Sequence, residues 1–180
     1  MYGKEIKKIL VSKDAIAKRV AEMGEQISND YANQKITLVC TLRGACVFFA
    51  DLMRAIHGDV EIDFIAVSSY GADTKTSGEV KMVKDLSEPI KGKNVIVVED
   101  IIDTGVTLSY LKKLLLAREP KSLKICTLLD KPSRRKVTFE GDYVGFEIEN
   151  EYVVGYGLDF DQQMRHYPDV CVLSPEVYGG

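Results

Sequence analysis

Histidine occurs only twice in the 180 residues, and none of the four cysteines forms a C-x-x-C pair. His57, His166, Cys40, Cys46, Cys126 and Cys171 are too sparse and too widely spaced for the ligand pattern of a structural zinc site. The cysteines lie in or beside apolar runs such as LVC and KIC and read as reduced core thiols. The N-terminal MYGKEIKKILVSKDAI has no apolar stretch of signal-peptide length, and no later run approaches the ~20 apolar residues of a membrane span. These absences predict a cytoplasmic protein without membrane contact. A net charge of −3 and a pI near 5.5 give no overall attraction for nucleic acid. The one short basic cluster, Arg134-Arg135-Lys136, reads as a solvated turn, and no helix-turn-helix pattern accompanies it. What is present is a 46% share of hydrophobic residues, enough for one compact domain spanning residues 1–180.

The apolar pattern alternates between two periods. Ser12 can cap a helix whose positions Ile16, Val20, Met23, Ile27 and Tyr31 fall on one face. KITLVCTL is short, apolar and β-branched, and leads through Arg43-Gly44 into the helical pattern ACVFFADLMRAIH. VEIDFIAVSSY reads as a strand, followed by Gly71 to Glu79 (GADTKTSGE), which has too little apolar surface to offset its ordering entropy and is expected to be a loop. NVIVVEDII passes through DTG into the helix VTLSYLKKLLLARE, and SLKICTLLDK supplies a further strand. YVGFEI, YVVGYG and VCVLS are shorter strands near the end. Alternating buried strands and amphipathic helices predict an α/β fold, a mostly parallel central sheet flanked by helices, with the short terminal strands forming a small hood lobe.

Chemistry concentrates in Val97 to Leu108, VVEDIIDTGVTL. A buried strand ends in two acids, and a third acid precedes Thr-Gly at a helix start, the place where ligands bind in doubly wound sheets. Thr104, Gly105 and Thr107 can offer hydroxyls and unpaired N–H groups to a phosphate monoester. Glu99 and Asp100 suit ribose hydroxyls or a hydrated metal ion. A ligand carrying phosphate, diol and metal together accounts for acids beside an anion cradle. On the acids alone, strand ending and helix capping by Asp103 would serve equally well.

The full string resembles the phosphoribosyl pyrophosphate signature of type I phosphoribosyltransferases. From about Thr37 to Ser174 the chain is similar to hypoxanthine-guanine phosphoribosyltransferases in four further segments, in the same order. LRGACVFFADL resembles the pyrophosphate loop, SSYGADTKTSGEV the flexible lid, LLDK the segment with the purine-binding lysine, and YVVGYGLDFDQQMR the purine- and metal-binding segment. The resemblance implies transfer of a 5-phosphoribosyl group from phosphoribosyl pyrophosphate to N9 of a 6-oxopurine, with Mg2+ as cofactor and a homodimer or homotetramer as the assembly. It implies Asp103 as the general base near purine N7, with Thr104, Gly105 and Thr107 on the 5′-phosphate and Glu99 and Asp100 on the ribose diol, directly or through magnesium. Arg43, Gly44 and Arg165 would meet pyrophosphate. Lys131 would contact the 6-oxo group, Tyr152 would stack on the ring, and the Val153 backbone would face its Watson–Crick edge. Asp159 would join Glu99 and Asp100 as a metal ligand, and Ser69 and Tyr70 would open the lid.

Two positions depart from the pattern. Arg43 stands where relatives often have lysine, which leaves a loop that works through backbone amides mostly intact, and Val106 stands where some relatives have a basic residue. Two other classes compete: a non-catalytic regulator that keeps the pocket, which lacks the expected basic face, and a phosphoryl-accepting receiver, whose acid pair should follow the first strand. Glu99 and Asp100 come too late for the second.

Overall fold

The computed structural model describes residues 2–69 and 80–178. After strand β1 (Ile6–Val11), the Ser12 hydroxyl accepts a hydrogen bond from the Ala15 N–H at 3.3 Å and caps helix α1 (Lys13–Asp30). Ile16, Val20, Met23 and Ile27 of α1 are buried, as their spacing predicts. Then follow β2 (Ile36–Thr41), α2 (Cys46–Ala55), β3 (Val60–Ser69), β4 (Val80–Lys84), β5 (Asn94–Ile102), α3 (Val106–Leu116) and β6 (Ser122–Asp130). β7 (Tyr143–Glu147), β8 (Val153–Val154), β9 (Val170–Leu173) and α4 (Pro175–Tyr178) complete the chain.

Six strands form the main sheet in the order β4-β3-β2-β5-β6-β7, parallel throughout except where β4 joins β3 antiparallel. Both faces are covered, so the central strands read as continuous apolar runs. Leu38, Cys40, Ile96 and Val98 pack with residues of α1 and α2 on one side, whereas Val39, Val95 and Val97 pack with Leu108, Leu111 and Leu115 of α3 on the other. Each such buried aliphatic side chain stabilises the fold by about 1.5–3 kcal/mol. The parallel order matters for function because it points the ends of β2, β5 and β6 to the same edge.

The hood is a separate antiparallel sheet, β1-β9-β8, so it joins both terminal segments. The Tyr2 hydroxyl bonds the Asp169 carboxylate, which also accepts from the Lys13 N–H at 2.6 Å, tying the hood to the start of α1. Three expectations need correction. YVGFEI is not part of the hood: as β7 it extends the main sheet, where Gly145 lies so close to the Leu128 carbonyl that a Cβ would collide with it. β1 and β4 were not anticipated. Cys46 is exposed at the start of α2, while Cys40, Cys126 and Cys171 are buried. Burial pushes the Cys40 thiol up to about 12. Tyr70 and the expected loop 71–79 lie outside the described residues; Ser69 is the last residue of β3, opposite Val80 of β4. Among the described residues, no helix is long and apolar enough to cross a membrane.

Candidate active site

The two acids lie near the end of β5, just before Ile101 and Ile102. Glu99 accepts a hydrogen bond from the Thr41 hydroxyl at 2.9 Å, and one Asp100 carboxylate oxygen accepts from the Ile101 N–H at 2.8 Å. Burial, reinforced by the neighbouring Asp100 charge, holds the Glu99 carboxyl well above the usual carboxylate range. Among the described residues neither acid has a cationic partner, and no group of three possible ligands is close enough to hold a metal by itself. Two adjacent carboxylates short of positive charge, offering only oxygen, fit a hard divalent ion that keeps most of its water.

Beyond the acids the chain turns through Asp103 and Thr104 to Gly105, whose φ of 78° places it in the left-handed region at the N-cap of α3. Gly105 has no side chain to cap α3, the Val106 N–H reaches only the Thr104 hydroxyl at 3.4 Å, and among the described residues the N–H groups of Asp103, Thr104 and Gly105 have no acceptor. Together with the positive end of the helix dipole they make an anion cradle. Asp103 receives a hydrogen bond from Arg134 Nε at 3.1 Å, an exposed ion pair.

Asp103 also lines a cavity of about 480 Å3 with Ile101, Lys131, Arg134, Tyr152, Val153 and Asp159. Lys131 directly follows β6, and its N–H donates to the Ile102 carbonyl at 2.9 Å. Only 8% of it is exposed. Burial lowers the pKa of its ammonium group, an effect opposed by the charges of Asp103 and Glu151. Tyr152 is held as a platform by two rings: Tyr178 stacks on it at 5.1 Å and 27°, and Phe160 meets it edge-on at 5.7 Å. The cavity sets two cations, Lys131 and Arg134, and three carboxylates, Asp103, Glu151 and Asp159, around an aromatic wall, a lining suited to a flat heterocycle with polar edges.

The loop after β2 contains a cis Leu42–Arg43 peptide. It lies against the hood, since a Cβ on Gly157 would strike the Gly44 carbonyl and one on Gly44 would strike the Asp100 carboxylate. Arg43 and Arg165 both donate to the Gln162 side-chain oxygen, at 2.8 and 3.0 Å. Arg165 also pairs with Asp159 at 2.8 Å and bonds the Gly157 carbonyl at 2.8 Å. The two guanidinium groups thus meet at one neutral oxygen, and Asp159 supplies a carboxylate to one of them. Asp159 is engaged with Arg165 rather than grouped with Glu99 and Asp100.

The acid pair of β5, the amides before α3, the Arg43–Arg165 corner and the cavity at Lys131 and Tyr152 lie where β2, β5 and β6 end against the hood. Residues 8–161 match the model of the phosphoribosyl transferase domain. The chain is 48% identical over 178 residues to the hypoxanthine-guanine phosphoribosyltransferase of Streptococcus thermophilus (strain CNRZ 1066), covering 99% of each. The chain belongs to the hypoxanthine-guanine phosphoribosyltransferase family. Crystal structures agree: a hypoxanthine-guanine phosphoribosyltransferase of Bacillus anthracis superposes with a TM-score of 0.91 at 49% identity, covering 94% of this chain and all of that one. A hypoxanthine phosphoribosyltransferase of Staphylococcus aureus gives 0.94 at 42%, covering 98% of this chain and 96% of that one.

Within this hypoxanthine-guanine phosphoribosyltransferase fold, the structure brings Asp103, Lys131, Tyr152, Val153 and Asp159 to one cavity and places Arg43 beside Arg165. Four contributors went unread in the sequence. Gln162 lies within YVVGYGLDFDQQMR but has no role of its own in that resemblance, and Tyr178 carries no signal beyond being aromatic near the C-terminal end. Arg134 and Arg135, read as a solvated turn, are instead bound into the site. The signal available was their spacing, three and four residues after Lys131, across a short 3₁₀ turn at Pro132–Arg134 that folds them back toward Asp103.

Proposed function

We propose that the chain, as one domain over residues 1–180, transfers the 5-phosphoribosyl group of phosphoribosyl pyrophosphate to N9 of hypoxanthine or guanine. The observation that carries this is the convergence of Asp103, Lys131 and Tyr152 on one slot directly beside the uncapped N-terminus of α3. The slot takes the base; the cradle takes the 5′-phosphate through the Thr104 to Thr107 amides and hydroxyls. Lys131 donates to the 6-oxo group, and Tyr152 stacks on the ring.

In the reaction, the N9 lone pair forms the bond to the ribose anomeric carbon while the bond from that carbon to pyrophosphate breaks with its electrons leaving on pyrophosphate. Asp103 accepts the proton from N7 as ring electron density shifts toward N9. Arg134 holds the Asp103 carboxylate at the slot. Arg43 and Arg165 exchange the Gln162 oxygen for the departing phosphates, where their charge counts most. Glu99 and Asp100 would hold the ribose diol and a hydrated Mg2+ ion, which would supply further positive charge to the leaving group; Asp159, paired with Arg165, stands apart from that acid pair. The enzyme works in the cytoplasm, where a free thiol such as that of Cys46 stays reduced. Its family resemblance implies a homodimer or homotetramer.

The test is product analysis after incubation with phosphoribosyl pyrophosphate, Mg2+ and hypoxanthine, guanine or xanthine in turn. Inosine or guanosine monophosphate should appear with one equivalent of pyrophosphate. Release of no nucleotide from any of these bases would overturn the proposal.

A further inference from the structure

The anion cradle needs something to aim its amides, and the structure shows what stands behind it. Arg135 is only 16% exposed and points into the protein rather than into water. Its Nη1 group meets three backbone carbonyls, those of Ile102 at 3.0 Å, Asp103 at 2.5 Å and Lys131 at 3.2 Å. Nε donates to the Phe139 carbonyl at 2.9 Å, and Nη2 pairs with the Asp130 carboxylate. Beside it, the Lys136 N–H donates to the Thr104 carbonyl at 2.9 Å.

A trans peptide is planar, with C=O and N–H pointing in opposite directions. Drawing the carbonyls of Ile102, Asp103 and Thr104 back onto residues 135–136 therefore turns the N–H groups of Asp103, Thr104 and Gly105 forward. Those are the amides that have no acceptor among the described residues. Gly105 is held close to the same segment, because a Cβ on it would lie 3.3 Å from Val137 and 3.4 Å from the Arg135 side chain. Through the Lys131 carbonyl the same guanidinium fixes the start of the purine lysine.

We propose that Arg135 is a positioning residue that aims the phosphate-binding amides and locks that loop to the Lys131 segment. It acts from behind the loop, without touching substrate. A lysine at this position would keep the charge and the pairing with Asp130, but a single ammonium cannot span carbonyls on both sides and Phe139 as well.

The inference rests on the reading of Asp103 to Thr107 as the 5′-phosphate site, and one experiment separates the two. Ribose 5-phosphate is titrated into wild type, Arg135→Lys and Arg135→Ala by calorimetry, with amide proton–nitrogen spectra recorded alongside. In wild type the amides of Asp103, Thr104 and Gly105 should move downfield on binding; if they do not, the phosphate-site reading fails. With that reading intact, Arg135→Lys, which keeps the ion pair to Asp130 and so the fold, should bind about 10-fold more weakly, with those shifts reduced. Guanidinium ion at concentrations well below denaturing should restore affinity to Arg135→Ala, whereas a variant that merely weakened the fold would be harmed by it. A folded Arg135→Lys that binds within about two-fold of wild type, with the same amide shifts, overturns the positioning role.

Discussion

Every contact proposed for the ribose 5-phosphate half comes from one unbroken stretch, Glu99 to Thr107, whereas the purine slot draws Lys131, Tyr152, Asp159 and Tyr178 from the end of β6, the hood and α4. The residues of the first half lie in one local turn, where a strand ends, a left-handed Gly105 turns the chain and a helix begins, with Arg135 and Lys136 bracing it from behind. The second half exists only because the hood closes against the main sheet edge. Phosphate binding should therefore survive changes in the slot, and base recognition should be sensitive to changes far from Asp103 in sequence.

The strongest way to break that division is Asp103→Asn, since Asp103 belongs to both halves. Turnover should fall by about 10²- to 10⁴-fold, the scale of general-base loss, while phosphoribosyl pyrophosphate affinity by calorimetry stays within a few-fold because the amides remain. Equal loss of both would make Asp103 a structural cap. Next in size is Lys131→Ala. Removing a charged donor to the 6-oxo group should cost about 10- to 100-fold in kcat/KM for hypoxanthine with phosphoribosyl pyrophosphate affinity unchanged. Wild-type kinetics in that variant would place base recognition elsewhere.

How much of this could be read from the sequence follows the same division. VVEDIIDTGVTL is legible because a β-branched run, paired acids and D-T-G each follow from local backbone demands. The periodicity of α1 and the parallel core strands were equally plain. β1 was not, because IKKILV keeps most of its residues outside the core and shows no clean alternation. The sheet to which β7 belongs is not legible in YVGFEI, because it depends on the close approach to Leu128 that Gly145 permits, a tertiary fact. Nothing in R-R-K says which arginine turns inward; for Arg135 that depends on the carbonyls of Ile102 and Asp103, more than 30 positions away. Cys46 precedes the apolar run Val47-Phe48-Phe49 yet faces out, since a helix start exposes one side.

A smaller effect tests whether the hood tail sharpens the slot. Tyr178→Ala removes the ring stacked on Tyr152, and KM for hypoxanthine should rise by roughly 2- to 10-fold, the worth of one aromatic pair, with kcat nearly unchanged. An unchanged KM would detach α4 from base binding. Smallest is Glu99→Gln, read as stability. The folded pKa of Glu99 lies above its ordinary 4.5, so the contribution of its neutral form is fully present below 4.5 and is lost as pH rises through the folded value. In chelated buffer the variant should therefore match wild type in acid and melt higher by roughly 2–5 °C near neutral pH, with activity reduced. A lower melting temperature at neutral pH would mean that Glu99 is compensated within the fold.

The central claim is that one buried ammonium selects the base, and the ratio of kcat/KM for hypoxanthine to that for adenine measures it most directly. An ammonium only donates hydrogen bonds, and adenine presents an amino donor where hypoxanthine presents an acceptor. With Lys131 buried in the slot, hypoxanthine should be favoured by about 10⁴-fold or more. Turnover of adenine within about 10-fold of hypoxanthine would contradict the account, because no slot organised around that donor could tolerate it.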